Sequence, residues 1–287
     1  MKLQTQQLVG IIGHPLGHTL SPAMHTAAFK HLQLPFVFGV LDVTEEILPA
    51  LIAALRISRF VGASVTVPHK QHVITLLDEL SDEAAALGAV NTLLLRNGRL
   101  TGHNTDIIGL QQTLLPVGSK IRGANALVLG AGGAARAVLY ALSKEFAPRK
   151  IWIYNRTRER SAALLLEFQK LFPGIIFGHA VDESELRSAC SDSALIVNAT
   201  SLGMSPDVES SPLPSEIRFS NHQIFLDIVY NPIETVLLRR ARRDGAHAIN
   251  GVEMLVQQGA AAFQLWTGKT FPVDVGRRAV TEALKGR

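Results

Sequence analysis

The stretch Ala126-Leu127-Val128-Leu129-Gly130-Ala131-Gly132-Gly133-Ala134-Ala135-Arg136 decides the fold of this chain. Its first half is a short apolar run without charge, the pattern of a strand buried on both faces of a parallel sheet. Its second half reads G-x-G-x-x-A, with Gly130, Gly132 and Ala135 in register. Glycines there permit a tight turn and let a diphosphate approach the backbone where the next helix begins. A small third residue lets that helix pack closely on the strand. The motif alone also fits a glycine turn that holds no ligand, so the residues downstream carry the decision. Lys150-Ile151-Trp152-Ile153-Tyr154 reads as the next strand and ends at Asn155-Arg156. A site for NAD places Asp or Glu there, to accept hydrogen bonds from the ribose 2′-hydroxyl. That acid is absent here, and Arg156, Arg158 and Arg160 stand in its place. Guanidinium forks bind a 2′-phosphate that a carboxylate would repel. The alternative is a solvated basic turn; the combination points to NADP.

Working outward, six apolar runs near 126–130, 151–154, 175–178, 195–199, 224–229 and 246–249 alternate with helical segments. Six strands complete a doubly wound dinucleotide-binding fold. Upstream, runs at 8–12, 36–41, 61–67 and 89–95 alternate with helices expected near 22–32 and 44–56, which predicts an α/β domain with a largely parallel sheet. Ser21 before Pro22 reads as a helix start, the serine as cap and the proline in the first turn. Lys70 is expected at the start of a helix after Pro68. Asn97-Gly98 is a hairpin signal, and 102–106 reads as a polar loop before a helix at 107–115. Two late helices, 252–266 and 273–285, have no strand between them and are expected to fold back on the first domain. The predicted organisation is a substrate domain over 1–106, completed by 250–287, and a cofactor domain over 107–249. The active site is expected in the cleft between them.

The chain has 287 residues, 47% hydrophobic and 18% charged, enough for two domains with cores of their own. No apolar run is long enough to span a bilayer, and the first twenty residues lack the layout of a signal peptide. The single cysteine, Cys190, cannot form an internal disulfide, which suits a reducing cytoplasm. The net charge of +4 is scattered, apart from the Arg156 group and Arg239, Arg240, Arg242 and Arg243. That second cluster reads as the polar face and last turn of a helix before Gly245. No nucleic-acid module accompanies the charge, so nucleic acid is not expected as a partner. His14, His18 and His25 hint at metal ligation, but Pro15 and Gly17 deny the first two a common helical face, and no metal is expected.

Behind a dehydrogenase cofactor, the first domain must supply the substrate contacts. Thr19, Ser21, Thr66, Lys70, Asn91 and Asp106 follow apolar runs, and ligands of parallel α/β folds bind beyond the carboxyl ends of strands. Small hydroxyls, an amide, a lysine and a carboxylate suit a polyhydroxylated acid. Oxidising an alcohol by hydride transfer needs the hydroxyl proton removed, and a lysine beside an aspartate can handle it. The plainer alternative makes Thr19 and Ser21 mere caps and Lys70 a surface residue.

The segments Gly13-His14-Pro15-Leu16, Leu20-Ser21-Pro22-Ala23-Met24-His25 and Ser64-Val65-Thr66-Val67-Pro68-His69-Lys70 resemble those of the shikimate dehydrogenase family. So do Gly88-Ala89-Val90-Asn91-Thr92, Asn104-Thr105-Asp106, the glycine turn and Asn155-Arg156-Thr157. Asn198-Ala199-Thr200-Ser201-Leu202-Gly203-Met204, Asp227-Ile228-Val229-Tyr230-Asn231-Pro232 and Asn250-Gly251 to Gln258-Gly259 complete the likeness, which covers nearly the whole chain. The resemblance implies reversible NADP-linked reduction of 3-dehydroshikimate to shikimate, on the route to chorismate and the aromatic amino acids. It implies Lys70 and Asp106 as the catalytic pair, with Lys70 handling the proton. Thr19 and Ser21 would hold the substrate carboxylate, and Thr66, Asn91, Asp106 and Gln258 the ring hydroxyls, with Tyr230 beside the ring. Gly130, Ala131, Gly132, Gly133 and Ala134 would hold the diphosphate, and Asn155, Arg156, Thr157, Arg158 and Arg160 the 2′-phosphate. Asp82, Ile228 and Gly251 would lie near the nicotinamide. A monomer or homodimer is expected. The chain departs from the family pattern at Thr19, usually Ser, and at Ile107, often Gly. The extra methyl of Thr19 keeps quinate open as an alternative substrate, since a hydroxyl or methyl in a pocket changes selectivity roughly 10- to 200-fold. A homologue that retains the pocket without catalysis is the other alternative; loss of Lys70 or Asp106 would have been its mark, and both are present.

Overall fold

Alternating apolar runs and helices build two six-stranded sheets in the computed structural model, which describes residues 6–286. The chain divides into two units, one of residues up to 109 with those from 256 onward, the other of residues 110–255. Both changes of unit fall inside helices, a few residues beyond the boundaries expected from the sequence.

The first unit comprises β1 (Gln7–Gly13), α1 (Ser21–His31), β2 (Phe36–Asp42), α2 (Leu48–Arg56), β3 (Phe60–Val65), β4 (Glu79–Leu80), α3 (Asp82–Leu87), β5 (Thr92–Arg96) and β6 (Arg99–His103). Helix α4 (Asp106–Leu114) begins in this unit. The strand order is β2-β1-β3-β5-β6-β4, with β1 parallel to both neighbours and β5 antiparallel to β3 and β6. The expected four strands are therefore six. The segment 99–103, expected in part as loop, pairs with β5 through the turn at Asn97 (φ 52°) and Gly98 (φ 77°). Its one large apolar side chain, Leu100, is fully buried. Helix α1 corrects another expectation: Leu20 holds the cap position, no side chain caps the helix, and Ser21 lies inside the first turn, buried. Helix α2 begins at Leu48 rather than 44. The core of the unit gathers Ile12, Ile52, Phe60, Val65, Val73, Leu93 and Leu100.

Helix α10 (Val252–Thr267) passes into this unit, followed by α11 (Val273–Lys285), which packs against α1. The indole of Trp266 donates to the backbone oxygen of Leu93 in β5 at 3.0 Å. His25 stacks on Phe38 at 4.9 Å between ring centroids and meets Trp266 at 5.2 Å, so α1, β2 and α10 share one aromatic box.

The second unit comprises α5 (Gly118–Ile121), β7 (Asn125–Leu129), α6 (Gly133–Ala141), β8 (Lys150–Tyr154), α7 (Arg158–Leu171), β9 (Ile176–His179), α8 (Glu183–Asp192), β10 (Leu195–Asn198), β11 (Ile224–Asp227), α9 (Val236–Arg243) and β12 (His247–Ile249). Its parallel sheet runs β9-β8-β7-β10-β11-β12, the 3-2-1-4-5-6 order of a doubly wound dinucleotide fold. All five residues of β7 are buried, as its uncharged sequence requires. Burying a side chain such as Phe168 or Phe225 contributes about 1.5–3 kcal/mol. Asp182 and Thr235 cap α8 and α9 with their side-chain oxygens.

Candidate active site

The antiparallel hairpin of β5 and β6 brings Asn91, at the mouth of one strand, beside Asn104-Thr105-Asp106 at the end of the other. Register pairs Thr92 with His103. Across from them, the chain leaving β3 turns at 66–70, where His69 N–H donates to Thr66 O at 2.9 Å and Val90 N–H to Lys70 O at 2.8 Å. Lys70 thus lies in a turn ahead of the single 3₁₀ turn His72–Leu76, not at the start of an α-helix as expected. His69 is fully buried, and its Nε2 donates to Val43 O at 2.7 Å, which ties the turn to the end of β2.

From these positions Lys70 Nζ reaches Asp106 Oδ2 at 2.6 Å, both side chains largely buried. The other carboxylate oxygen, Oδ1, accepts from Asn91 Nδ2 at 2.8 Å. The orientation of that amide is fixed, because Thr105 N–H can only donate and bonds Asn91 Oδ1 at 2.7 Å. The Thr92 and Thr105 hydroxyls add bonds to the same oxygen at 3.0 and 3.2 Å. Asn104 completes the arrangement: its Nδ2 donates to Ala89 O at 2.9 Å and its Oδ1 accepts Asp106 N–H at 3.2 Å. An ammonium and a carboxylate are held in contact in partial burial, with every neighbour oriented. Removing one partner of such a pair costs about 3–5 kcal/mol.

The remaining first-unit residues have definite places. Thr19 lies in the loop between β1 and α1, and its Oγ1 accepts Ser21 N–H at 3.4 Å. Asp42 braces that loop by accepting from His14 Nδ1 at 2.7 Å and Leu16 N–H at 2.8 Å. The Leu16 bond and then the His14 bond hold the Asp42 carboxyl below its ordinary range. Thr66 is half-buried after β3, Gln258 is buried on α10, and Asp82 is exposed in the first turn of α3. The hydrogen bonds join Lys70, Asn91 and Asp106 directly. Asn104, Thr105 and Thr92 escaped the sequence reading as supports; short polar pairs flanking a hairpin signal were the available clue.

In the second unit β7 ends at Leu129, and Gly130 takes φ +113°, open to glycine at little cost. Gly132 caps α6 with no side chain on the free N–H groups, and nothing stands within 4 Å of where its Cβ would be. Ala135 is fully buried. A nine-residue helix therefore presents its positive end, bare of competing side chains, to a diphosphate. At the end of β8, Asn155 Nδ2 donates to Thr157 O at 2.8 Å and shapes the turn. Arg156, Thr157, Arg158 and Arg160 are exposed there, where an acid would select NAD. These residues fit NADP. Tyr230 and Ile228 are half-buried beyond β11, and Gly251 N–H donates to Val229 O at 3.2 Å. Cys190 is buried in α8, where burial pushes its thiol up to about 11. Among the described residues no three His, Cys, Asp or Glu side chains group to hold a metal, and no helix is long and apolar enough to cross a membrane.

A doubly wound unit with a bare glycine turn, and a unit that pairs a lysine with an oriented carboxylate, define a dinucleotide-linked dehydrogenase. Three family models match: the shikimate dehydrogenase substrate binding domain over residues 11–93, shikimate / quinate 5-dehydrogenase over 112–212, and the shikimate 5′-dehydrogenase C-terminal domain over 251–281. The NADP(+) shikimate dehydrogenase of Symbiobacterium thermophilum is 43% identical over 98% of this chain and 96% of its own. The shikimate 5-dehydrogenase of Thermus thermophilus, solved with NADP(H) and shikimate, superposes with TM-score 0.85 at 39% identity, covering 97% of this chain and all of that one. A quinate dehydrogenase from Corynebacterium glutamicum, solved with NAD, gives TM-score 0.88 at 30% identity over 96% of this chain and 99% of that one. The chain belongs to the shikimate dehydrogenase family.

Proposed function

We propose that this protein catalyses the reversible reduction of 3-dehydroshikimate to shikimate with NADP, with the first unit as substrate domain and the second as cofactor domain. The observation that carries it is the Lys70–Asp106 pair oriented by Asn91; Lys70 and Asn91 lie in the region matched by the substrate-binding model, and Asp106 lies between that region and the match that begins at residue 112. The cofactor accepts a hydride in one direction and returns it in the other. Lys70 as the neutral amine takes the substrate's hydroxyl proton during oxidation, and as the ammonium so formed gives it to the carbonyl oxygen during reduction. Asp106 holds the ammonium in place and accepts a substrate hydroxyl. Thr19 and Ser21 bind the carboxylate, and Thr66, Asn91, Gln258 and Tyr230 fix the ring. The glycine turn from Gly130 to Ala134 takes the diphosphate, and the segment from Asn155 to Arg160 the 2′-phosphate. Asp82, Ile228 and Gly251 border the nicotinamide. The enzyme works in the cytoplasm as a single chain or a pair of copies.

The departure at Thr19 makes quinate the substrate to test against. Initial rates with shikimate and quinate, each with NADP and NAD, decide the matter. Shikimate with NADP is expected to give the highest kcat/KM; a quinate preference, or equal use of both cofactors, overturns the assignment.

A further inference from the structure

Asp227 ends β11 with its side chain wholly buried. Its oxygens are filled by neutral donors. Asn198 Nδ2 and Val229 N–H bond Oδ1 at 2.9 and 3.0 Å, and the Thr235 hydroxyl bonds Oδ2 at 2.7 Å. Among the described residues no cation pairs with it. A buried carboxylate left without a cation is costly, and burial pushes this carboxyl up to about 6 despite three bonds that favour its charge.

Each donor belongs to a different segment. Asn198 closes β10, and its Oδ1 accepts the Thr200 N–H and hydroxyl at 3.0 and 2.7 Å while its Nδ2 also reaches Leu202 O at 3.2 Å. The segment so gathered backs the glycine turn: a Cβ on Gly130 would stand 3.0 Å from Ala199 O and 3.1 Å from Thr200 Cγ2. Val229 begins the chain leaving β11, where Ile228 N–H donates to Asn198 O at 3.1 Å. That chain backs Gly251, whose Cβ would stand 2.2 Å from Ile228 O. Thr235 caps α9 by accepting Leu238 N–H at 3.3 Å. An ionised carboxylate meets all three donors with acceptors alone, whereas a neutral acid or amide turns a donor toward the Thr235 hydroxyl.

We propose that Asp227 is a positioning residue for the cofactor site, its carboxylate setting segment 199–200 against the diphosphate turn and segment 228–229 against Gly251. The inference rests on the NADP reading of the second unit. Its function is separable from stability. Asp227→Asn keeps the shape and removes the buried charge, so it should melt no lower than the parent near neutral pH, while its amide N–H₂ confronts the Thr235 hydroxyl.

The test is direct titration of NADP, and separately of shikimate, into both proteins with thermal melting alongside. The affinity of Asp227→Asn for NADP should fall about five- to tenfold at about pH 7.5, the scale of one ordinary hydrogen bond. Shikimate affinity should fall less than that for NADP, since of its proposed contacts only Tyr230 lies in the second unit. The groups facing Asp227 from β10, the 228–230 segment and α9 are Asn198, the Val229 N–H and Thr235, none of them titratable. The affinity ratio of the two proteins should therefore approach one at about pH 5, where the parent carboxyl is itself neutral. Titration of the 2′-phosphate is common to both proteins and cancels. Unchanged NADP affinity in Asp227→Asn overturns the proposal, as does equal loss of both ligands with a lowered melting temperature. Asp227→Ala, if it folds, should weaken NADP further. A parent protein that binds shikimate but not NADP refutes the cofactor reading instead, and this inference falls with it.

Discussion

Lys70 and Asp106 lie 36 positions apart and meet at 2.6 Å, so the chemistry rests on how far each can be removed without disturbing the other. Lys70→Ala should lower kcat by about 10²- to 10⁴-fold, the contribution of a placed acid–base group. Shikimate affinity should change only several-fold, because the contacts proposed for Thr19, Ser21 and Gln258 remain. Asp106→Ala should damage both quantities, since it also removes the substrate hydrogen bond proposed for it and leaves Lys70 partly buried without its partner. Steady-state rates with direct shikimate titration check both variants; near-normal kcat in Lys70→Ala would show that the proton travels by another route. At the other end of the reaction, Arg156 is exposed beyond β8. Arg156→Ala should raise the KM for NADP about tenfold or more while hardly changing that for NAD, because a hydrogen bond to a charged group contributes roughly 1.5–3 kcal/mol. Parallel changes in the two constants would place the 2′-phosphate elsewhere.

Elements differ in how plainly their sequences announce them. Strands β7, β10 and β11 of the second unit are legible because each is a short uncharged or largely apolar run that a sheet covered on both faces buries entirely, while the edge strands β9 and β12 are only partly buried. Strand β6 is not legible, since Arg-Leu-Thr-Gly-His offers a single large apolar side chain and takes its place from the turn at Asn97-Gly98. Strand β4 has two residues and no pattern at all. The same holds for the site. Lys70 and Asp106 are legible through motif, whereas Thr92 and Thr105 matter only because β5 and β6 are antiparallel in one register. Asp227 reads in sequence as the mere end of an apolar strand. Helix α10 is tied to β5 by two bonds: Trp266, two turns beyond Gln258 on the same helix, donates to Leu93 O, and the Arg96 guanidinium donates to Leu265 O at 3.0 Å. Trp266→Phe keeps the ring and loses that bond, a cost of about 1 kcal/mol, and should raise the KM for shikimate more than that for NADP. The reverse order would mean that the Arg96–Leu265 bond and the aromatic contacts hold α10 in place without the indole's bond.

The two units carry buried titratable groups of opposite acid response. In the first, both ring nitrogens of His25 lack hydrogen-bond partners among the described residues, and burial lowers its pKa to about 3. The unfolded chain binds this proton near pH 6.5 and the folded unit refuses it, so stability present above that pH drains away as the solution is acidified. By about pH 4.5 the loss amounts to about 2–3 kcal/mol. In the second unit Asp227 is raised from 3.8 to about 6, so the folded state binds its proton first and gains stability as pH falls through that window, by about 2 kcal/mol at about pH 4.5. Carboxyls held low by hydrogen bonds, such as Asp42 and Asp78 in one unit and Glu216 and Asp244 in the other, lose stability in acid alike and do not distinguish the two. The molecule is therefore expected to unfold in acid from the first unit, with the doubly wound unit persisting to higher denaturant. The chain's two tryptophans, Trp152 and Trp266, fall one in each unit and can report it. Trp152→Phe leaves Trp266 as the probe of the first unit, and the difference from the parent signal follows the second. Urea titrations should show the Trp266 transition moving below the Trp152 transition as pH drops from about 7 to 4.5, and His25→Leu should reduce that separation. Coincident transitions at both pH values would show that the units unfold as one and that neither buried group governs acid stability.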